Sequence, residues 1–395
     1  MMSTLMAAAA LSIDLMLPAF GRIRADFDVP EDSTRVGAIL TSFFLGMALA
    51  QIVYGPFADR FGRKPTLYVG LAIYIVAALA SAVAPTLELV ILSRFVWGVG
   101  AASPRVVTLS IVRDTFEGAA MARAMSFIMA VFLLVPIFMP ALGAAVLEVA
   151  NWRWLFVIAA AFGVAVALWM IRLPETLDPA NRIAFSPRAV YQAGRIVVTN
   201  RVTMGYTMAR MFTFGAMLSY LATSELIIST VYGRAELFPV IFGLTAAFIA
   251  VAILANAKLV GMLSMGVIVR AAFIAFISMA TGLTLLAWSA DGIPNFWLFM
   301  FLLALALGSY GLIIPNLNTL AMEPMAAIAG TAAAVTGTIG ATGGAILGFA
   351  LDQTFDGTVL PLSLGLLVYG SIGFGFSSWA KRAPAPSAEI APART

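Results

Sequence analysis

The chain contains neither cysteine nor histidine, and only 11% of its 395 residues carry charge. Without cysteine, disulfides and thiolate chemistry are excluded. Without histidine, the usual proton carrier near neutral pH is missing. A Ser–His hydrolase and an HExxH zinc site are excluded with it. Any proton handled here rides on Asp or Glu. An intramembrane aspartyl protease would need paired acids in a GxGD setting, which the sequence lacks, so no enzymatic activity is expected. No motif calls for a cofactor or a metal. The scarcity of charge also excludes a large water-facing surface. Soluble domains carry about 25% charged and roughly 45–50% apolar residues, whereas 62% of this chain is hydrophobic. The chain belongs in a bilayer. Net charge is +4, with the bases scattered over loops, which argues against a nucleic-acid partner.

A span needs about 20 apolar residues. Such stretches occur at 4–22, 36–57, 66–84, 88–112, 122–147, 153–172, 203–230, 237–256, 264–288, 295–321, 328–351 and 358–380, called spans 1 to 12 below. The loops are short except for 173–200, which is polar, carries Pro174, Pro179 and Pro187, and divides the spans evenly. Its second part, "SPRAVYQAGRIVV", reads as an amphipathic helix on the membrane surface. The expected organisation is a six-helix bundle over 1–172, a cytoplasmic linker over 173–200, a second bundle over 201–380 and a disordered Pro/Ala-rich tail over 381–395. Arg60, Arg63, Lys64, Arg113, Arg123, Arg172, Arg182, Arg188, Arg195, Arg201, Lys258, Lys381, Arg382 and Arg394 are expected on the side of the termini. The opposite side has Arg22, Arg24, Arg35, Arg153 and Arg234, three of them among acids. Lys and Arg concentrate on the cytoplasmic side, so both termini are expected there. The halves show faint kinship: "SRFVWGVGAASP" in span 4 and "LALALGSYGLIIP" in span 10 each run through small residues to a proline. Repeated halves with a site between them at mid-membrane are a transporter architecture.

"GPFADRFGRKP", Gly55 to Pro65, follows span 2. Gly55 and Gly62 permit close approach and tight turning. Asp59 stands where it can meet the positive end of a helix. Arg60, Arg63 and Lys64 hold the loop inside. These residues match the G-x-x-x-D-R-x-G-R-[RK] pattern of the major facilitator superfamily at every fixed position, and the chain resembles that family. The likeness is greatest to twelve-span drug:proton antiporters of the Bcr/CflA-type branch. "SIDLMLPAF" resembles that branch's span 1. "LSRFVWGVGAA" resembles its Arg-x-x-x-Gly motif in span 4, with Trp97 where Gln is usual. "VPIFMPALGAAV" resembles its span 5 motif, and "NWRWLFVI" and "VRDTF" also fit. The second copy of the loop signature is reduced to "ANAKLVGML". The resemblance implies an all-α membrane fold of twelve helices in two six-helix bundles. It implies proton-coupled multidrug efflux, with antibiotic resistance as its consequence, across a bacterial inner membrane. The expected partners are a small-molecule substrate, protons and membrane lipid, with the chain a monomer.

Within that frame the intramembrane charges are the candidate site. An ionised Asp at mid-helix costs about 2.5–3.5 kcal/mol on insertion scales, so Asp14 is a functional candidate by default. Pro18 frees a backbone carbonyl beside it. Movement of Asp14 between dry and wet positions would load and release a proton. Arg94 and Arg105, eleven positions apart, fall on nearly one face of span 4. The resemblance links Arg94 to proton exchange and to the pKa of Asp14. Glu225 is the second titrating candidate. Trp97 joins the proposed proton and substrate site. Asp59, Arg60 and Arg63, with Gly55, Gly62 and Asp114, form the expected cytoplasmic latch. Pro136, Pro140 and Gly143 form the expected bending interface. Phe132, Phe138, Phe212, Phe214 and Tyr220 supply aromatic surface for cargo or for lipid. A different cargo, an anionic metabolite held by Arg94, Arg105 and Arg210, stands as the alternative.

Overall fold

Twelve helices long and apolar enough to cross a membrane account for most of the chain in the computed structural model, which describes residues 1–178 and 187–381. The spans run Met2–Asp26, Thr34–Phe61, Arg63–Val83, Leu87–Thr115, Arg123–Val149, Arg153–Arg172, Arg201–Val231, Ala235–Leu259, Met265–Trp288, Phe296–Ala326, Ala329–Asp352 and Leu360–Lys381. An all-helical solution is what a bilayer permits, because each backbone N–H and C=O must be satisfied within its own segment. The all-α, twelve-span reading of the sequence therefore holds. Because the spans alternate in direction, Met1 and Lys381 lie on one face, the terminal face. The other is the far face.

Each half packs most closely within itself. Spans 2 and 4 pass so tightly that a Cβ on Gly98 would stand 2.0 Å from the Phe43 carbonyl oxygen, the close helix approach that small residues allow. Between the halves, span 2 meets span 11, where Thr338 Oγ1 donates to the Ala48 carbonyl at 3.0 Å. Span 5 meets span 8 where Gly243 packs on the Ile137 carbonyl.

Two features depart from regular helices. Span 1 is discontinuous: an α-helix over Met2–Asp14 ends, a 3-10 turn occupies Leu17–Ala19, and a second α-helix covers Phe20–Asp26. Pro18 has no N–H to give the Asp14 carbonyl, which accounts for a break at this point. Span 7 ends in a π-helical turn over Ile227–Val231, just after Glu225. Between the halves, a helix covers Pro187–Thr199. Its Val197 is buried with Met325, Ala332 and Val335, against Ile52 of span 2. Tyr191, Ile196 and Val198 remain exposed. The tail expected to be disordered falls, beyond Lys381, outside the described residues.

Candidate functional site

The break in span 1 places Asp14 at the end of its first helical segment, buried at 4% exposure. Its side chain borders a cavity of about 350 Å³ that both halves enclose. Met6, Ala9 and Ile13 of span 1, Phe44 and Met47 of span 2, and Phe132 and Pro136 of span 5 form one wall. Phe214, Met217 and Tyr220 of span 7, Phe242 and Thr245 of span 8, and Tyr310 and Pro315 of span 10 form the other. Arg105 of span 4 also lines it. The walls are otherwise mostly apolar, aromatic and methionine-rich, which suits a range of lipophilic shapes. A larger, shallow groove at Gly282, Leu285, Trp288 and Leu302 lies open at the surface and holds no ionisable side chain.

Among the described residues, the carboxyl of Asp14 has no hydrogen-bond or ion-pair partner. Arg105 likewise makes no hydrogen bond or ion pair. It lies in the middle of the bundle and is nonetheless exposed, because the surface that it presents belongs to the cavity. Arg105, Arg210 and Tyr310 stand within electrostatic range of one another. Arg210 donates to Asn318 Oδ1 at 2.6 Å and to the Thr336 carbonyl. Neither acceptor is charged, so the positive charge of Arg210 is not cancelled by its partners.

Arg94 is placed differently. It is fully buried inside the N-terminal half, with its guanidinium 4.5 Å from the Phe43 ring centroid and 4.6 Å from that of Trp97. None of its side-chain nitrogens has a hydrogen-bond partner among the described residues. Arg94 and Arg105 do share one helix face in the sequence. At the level of Arg94 that face is covered, because Gly98 lets span 2 close upon it; at the level of Arg105 the neighbours part to form the cavity. Trp97 is 1% exposed and packs edge-on against Tyr74 and Phe156, away from the cavity. The link from this cluster to span 1 runs through Tyr74, whose Oη lies 2.7 Å from Ser12 Oγ. A chain of contacts from Arg94 therefore runs through Trp97 and Tyr74 to Ser12, two residues before Asp14.

Glu225 is not a cavity group. It forms a buried ion pair with Arg24, at the end of span 1, and accepts from Ser229 Oγ at 2.8 Å. This pair joins the two halves on the far face, where Gly37 also packs on Ala222. Arg24 had read as an ordinary loop charge. Only the fold brings it to Glu225, 201 positions away.

On the terminal face, Arg63 at the start of span 3 bonds Asp59 near the end of span 2 and, at 2.8 Å from its Nε, Asp114 at the end of span 4. The three residues grouped by the sequence meet here, but all belong to the N-terminal half. They staple spans 2, 3 and 4 to one another rather than one half to the other. Glu175, which sequence reading missed, completes the cluster. Its carboxylate accepts from the backbone N–H groups of Arg63 at 2.9 Å and Lys64 at 3.1 Å, the unpaired donors that open span 3. It also accepts from the N–H groups of Thr176 and Leu177. Burial alone would push its pKa up, and these four donors together hold it below the ordinary glutamate value. Gly62 turns at φ +105°, and a Cβ there would stand 2.6 Å from Glu175 Oε2. Gly55 has open space around it, so close approach is not its role. Arg60 is exposed, with its guanidinium 5.1 Å from the Phe61 ring centroid.

In span 5, Pro136 lines the cavity and Pro140 lies inside a continuous helix over Gly118–Val149. Gly143 packs on the break in span 1: a Cβ there would stand 2.1 Å from the Leu15 carbonyl oxygen. Of the aromatic candidates, Phe132, Phe214 and Tyr220 reach the cavity. Phe138 faces outward, and Phe212 stacks on Phe376. Asp352 is 2% exposed and accepts from Ser219 Oγ at 2.6 Å. Among the described residues no cluster of acids suits a metal ion.

Comparison with known proteins agrees with this architecture. The family described as Major Facilitator Superfamily matches residues 2–348. The bicyclomycin resistance protein homolog of Haemophilus influenzae is 28% identical over 352 residues, 89% of this chain and 87% of its own. The multidrug resistance protein MdtL of Escherichia fergusonii is 30% identical over 237 residues, 59% of each chain. Among solved structures, a D-xylose-proton symporter superposes with a TM-score of 0.72 over 96% of both chains at 12% identity, a likeness of fold.

Proposed function

Because this multi-pass membrane protein belongs to the major facilitator superfamily, we propose that it is a proton-coupled exporter of lipophilic drugs or toxic small molecules. It works by alternating access in a bacterial inner membrane, as a monomer surrounded by lipid, with both termini in the cytoplasm. The bundles over 1–172 and 201–380 rock about the central cavity, and 173–200 links them. One observation carries this reading: an unpaired carboxyl, Asp14, stands at a break in span 1 and borders a cavity walled by both halves. Two relatives whose names refer to drug resistance support the nature of the cargo.

Asp14 binds a proton when the cavity faces one side and gives it up when it faces the other. A proton moving inward through 100 mV releases about 2.3 kcal/mol from charge movement alone, which is available to drive cargo outward. The Arg24–Glu225 pair holds the far face shut and must part for release. Gly143 couples span 5 to the hinge at Asp14. The alternative reading, an anionic metabolite as cargo, gains from Arg105 and Arg210 but not from Arg94, which stands outside the cavity.

The test is flux in vesicles of purified protein under an imposed pH gradient. Wild type is expected to move a lipophilic probe against its gradient, and Asp14→Asn to exchange the probe without responding to pH. Gradient-driven flux that survives Asp14→Asn would refute this mechanism.

A further inference from the structure

Two opposite charges face the same cavity and neither is satisfied. Asp14 and Arg105 pair neither with each other nor with any other described residue. The surface around them is mostly apolar. Charge in such surroundings is costly unless it is paired. Asp14 has a remedy of its own, because it can take up a proton. Arg105 has none, since a guanidinium stays charged in proteins. Arg210 stands in electrostatic range with only neutral acceptors, and so adds to the positive field rather than relieving it. Tyr310, also on the wall, makes no hydrogen bond to a described residue and offers a further donor.

We propose that the cargo is a zwitterionic amphiphile, its carboxylate at Arg105, its ammonium at Asp14 and its apolar body against Phe44, Phe132 and Phe214. A cargo with a single charge leaves one of the two side chains unmatched, and a neutral one leaves both. The volume of about 350 Å³ is within the range that holds a small organic ligand. The arrangement also supplies a basis for exchange. An ammonium and a proton compete for one carboxylate, and two ligands that exclude each other are coupled as exchange requires. This inference rests on the cavity's being the cargo site, as in the function proposed above.

Four forms of one compound separate the charges: 2-naphthylalanine as the free zwitterion, its methyl ester, its N-acetyl acid and its N-acetyl methyl ester. Binding is measured at equilibrium on the full-length protein in nanodiscs. No gradient is present, so a failure of proton-driven export and a failure of this inference are told apart. The zwitterion is expected to bind at least tenfold tighter than the other three. Arg105→Gln should abolish its advantage over the ester, Asp14→Asn its advantage over the N-acetyl acid, and Arg105→Lys should restore part of the loss. Thermal unfolding confirms that each variant is folded. The series is repeated with gluconate in place of chloride. Should ester binding require chloride, an inorganic anion fills Arg105 and the proposal fails. Equal affinity for all four forms, or binding by none of them, overturns it as well.

Discussion

Gly143 of span 5 lies directly on the carbonyl of Leu15, the residue that follows Asp14. A Cβ at Gly143 would stand 2.1 Å from that oxygen and 3.0 Å from Pro18 Cγ. The carbonyl is backbone and cannot swing aside. Gly143→Ala should therefore push span 5 from span 1 at the break itself, at an overpacking cost of about 1–3 kcal/mol. The expected result is a lower unfolding temperature in detergent, with a larger proportional loss of gradient-driven flux. An alanine variant with wild-type stability and flux would show that the contact is not tight in the membrane.

The Arg24–Glu225 pair is nearly sealed from water, with side-chain exposures of 5% and 8%. Neutralising one partner leaves a buried charge alone, a change that costs about 3–5 kcal/mol at well-buried pairs. Glu225→Gln should therefore weaken the arrangement closed on the far face. The chain has no cysteine of its own, so a probe at Ala222, which packs on Gly37 beside this pair, reports the opening cleanly. Labelling of Ala222→Cys by an impermeant maleimide should rise several-fold in the Glu225→Gln background. Exchanging the charges, Arg24→Glu with Glu225→Arg, should return it toward the wild-type rate.

Glu175 gives a pH dependence of known sign. Its pKa in the folded protein lies below the ordinary value of 4.5. The unfolded chain therefore takes up its proton first as pH falls. The stability that Glu175 contributes is full above pH 4.5 and is lost as pH drops through the lower, folded value. The group is largely exposed, so the effect is modest. Glu175→Gln should unfold at a lower temperature than wild type at pH 7, and the two curves should converge once the pH falls below the folded value. A difference that persists unchanged in acid would place the contribution of Glu175 in something other than its charge.

The helical architecture was legible because hydropathy measures what a bilayer requires, and the loop signature "GPFADRFGRKP" because its Asp59–Arg63 pair is local, although Asp114 and Glu175 come to it from far along the chain. Asp14 was legible for the same reason, being an acid in an apolar run beside a proline. Pairings between distant spans were not. Nothing in the sequence distinguishes Arg24, which seals the halves to each other through Glu225, from Arg35, which meets Glu88 in the open. Arg94 and Arg105 look alike on a helical wheel, and only the approach of span 2 at Gly98 separates them. Tyr310 carries a signal in the sequence: beside Ser309, it is the aromatic hydroxyl within the small-residue run of span 10.

Arg94 offers the sharpest contrast between stability and function. Its guanidinium is fully buried, with aromatic faces for company and no hydrogen bond to any of its nitrogens. Cation–π contacts return about 2 kcal/mol when desolvated, while an unpaired buried charge costs several. A methionine fills a similar volume and has nothing to desolvate. Arg94→Met should therefore raise the unfolding temperature, or leave it unchanged, while reducing gradient-driven flux tenfold or more. Tyr74→Phe, which removes the hydroxyl beside Ser12, should reduce flux by a smaller factor. Added to Arg94→Met it should cost little further, because both act on span 1 along one route. A fall in stability and flux together in Arg94→Met would make the arginine a structural element of the N-terminal half and would remove it from the transport cycle.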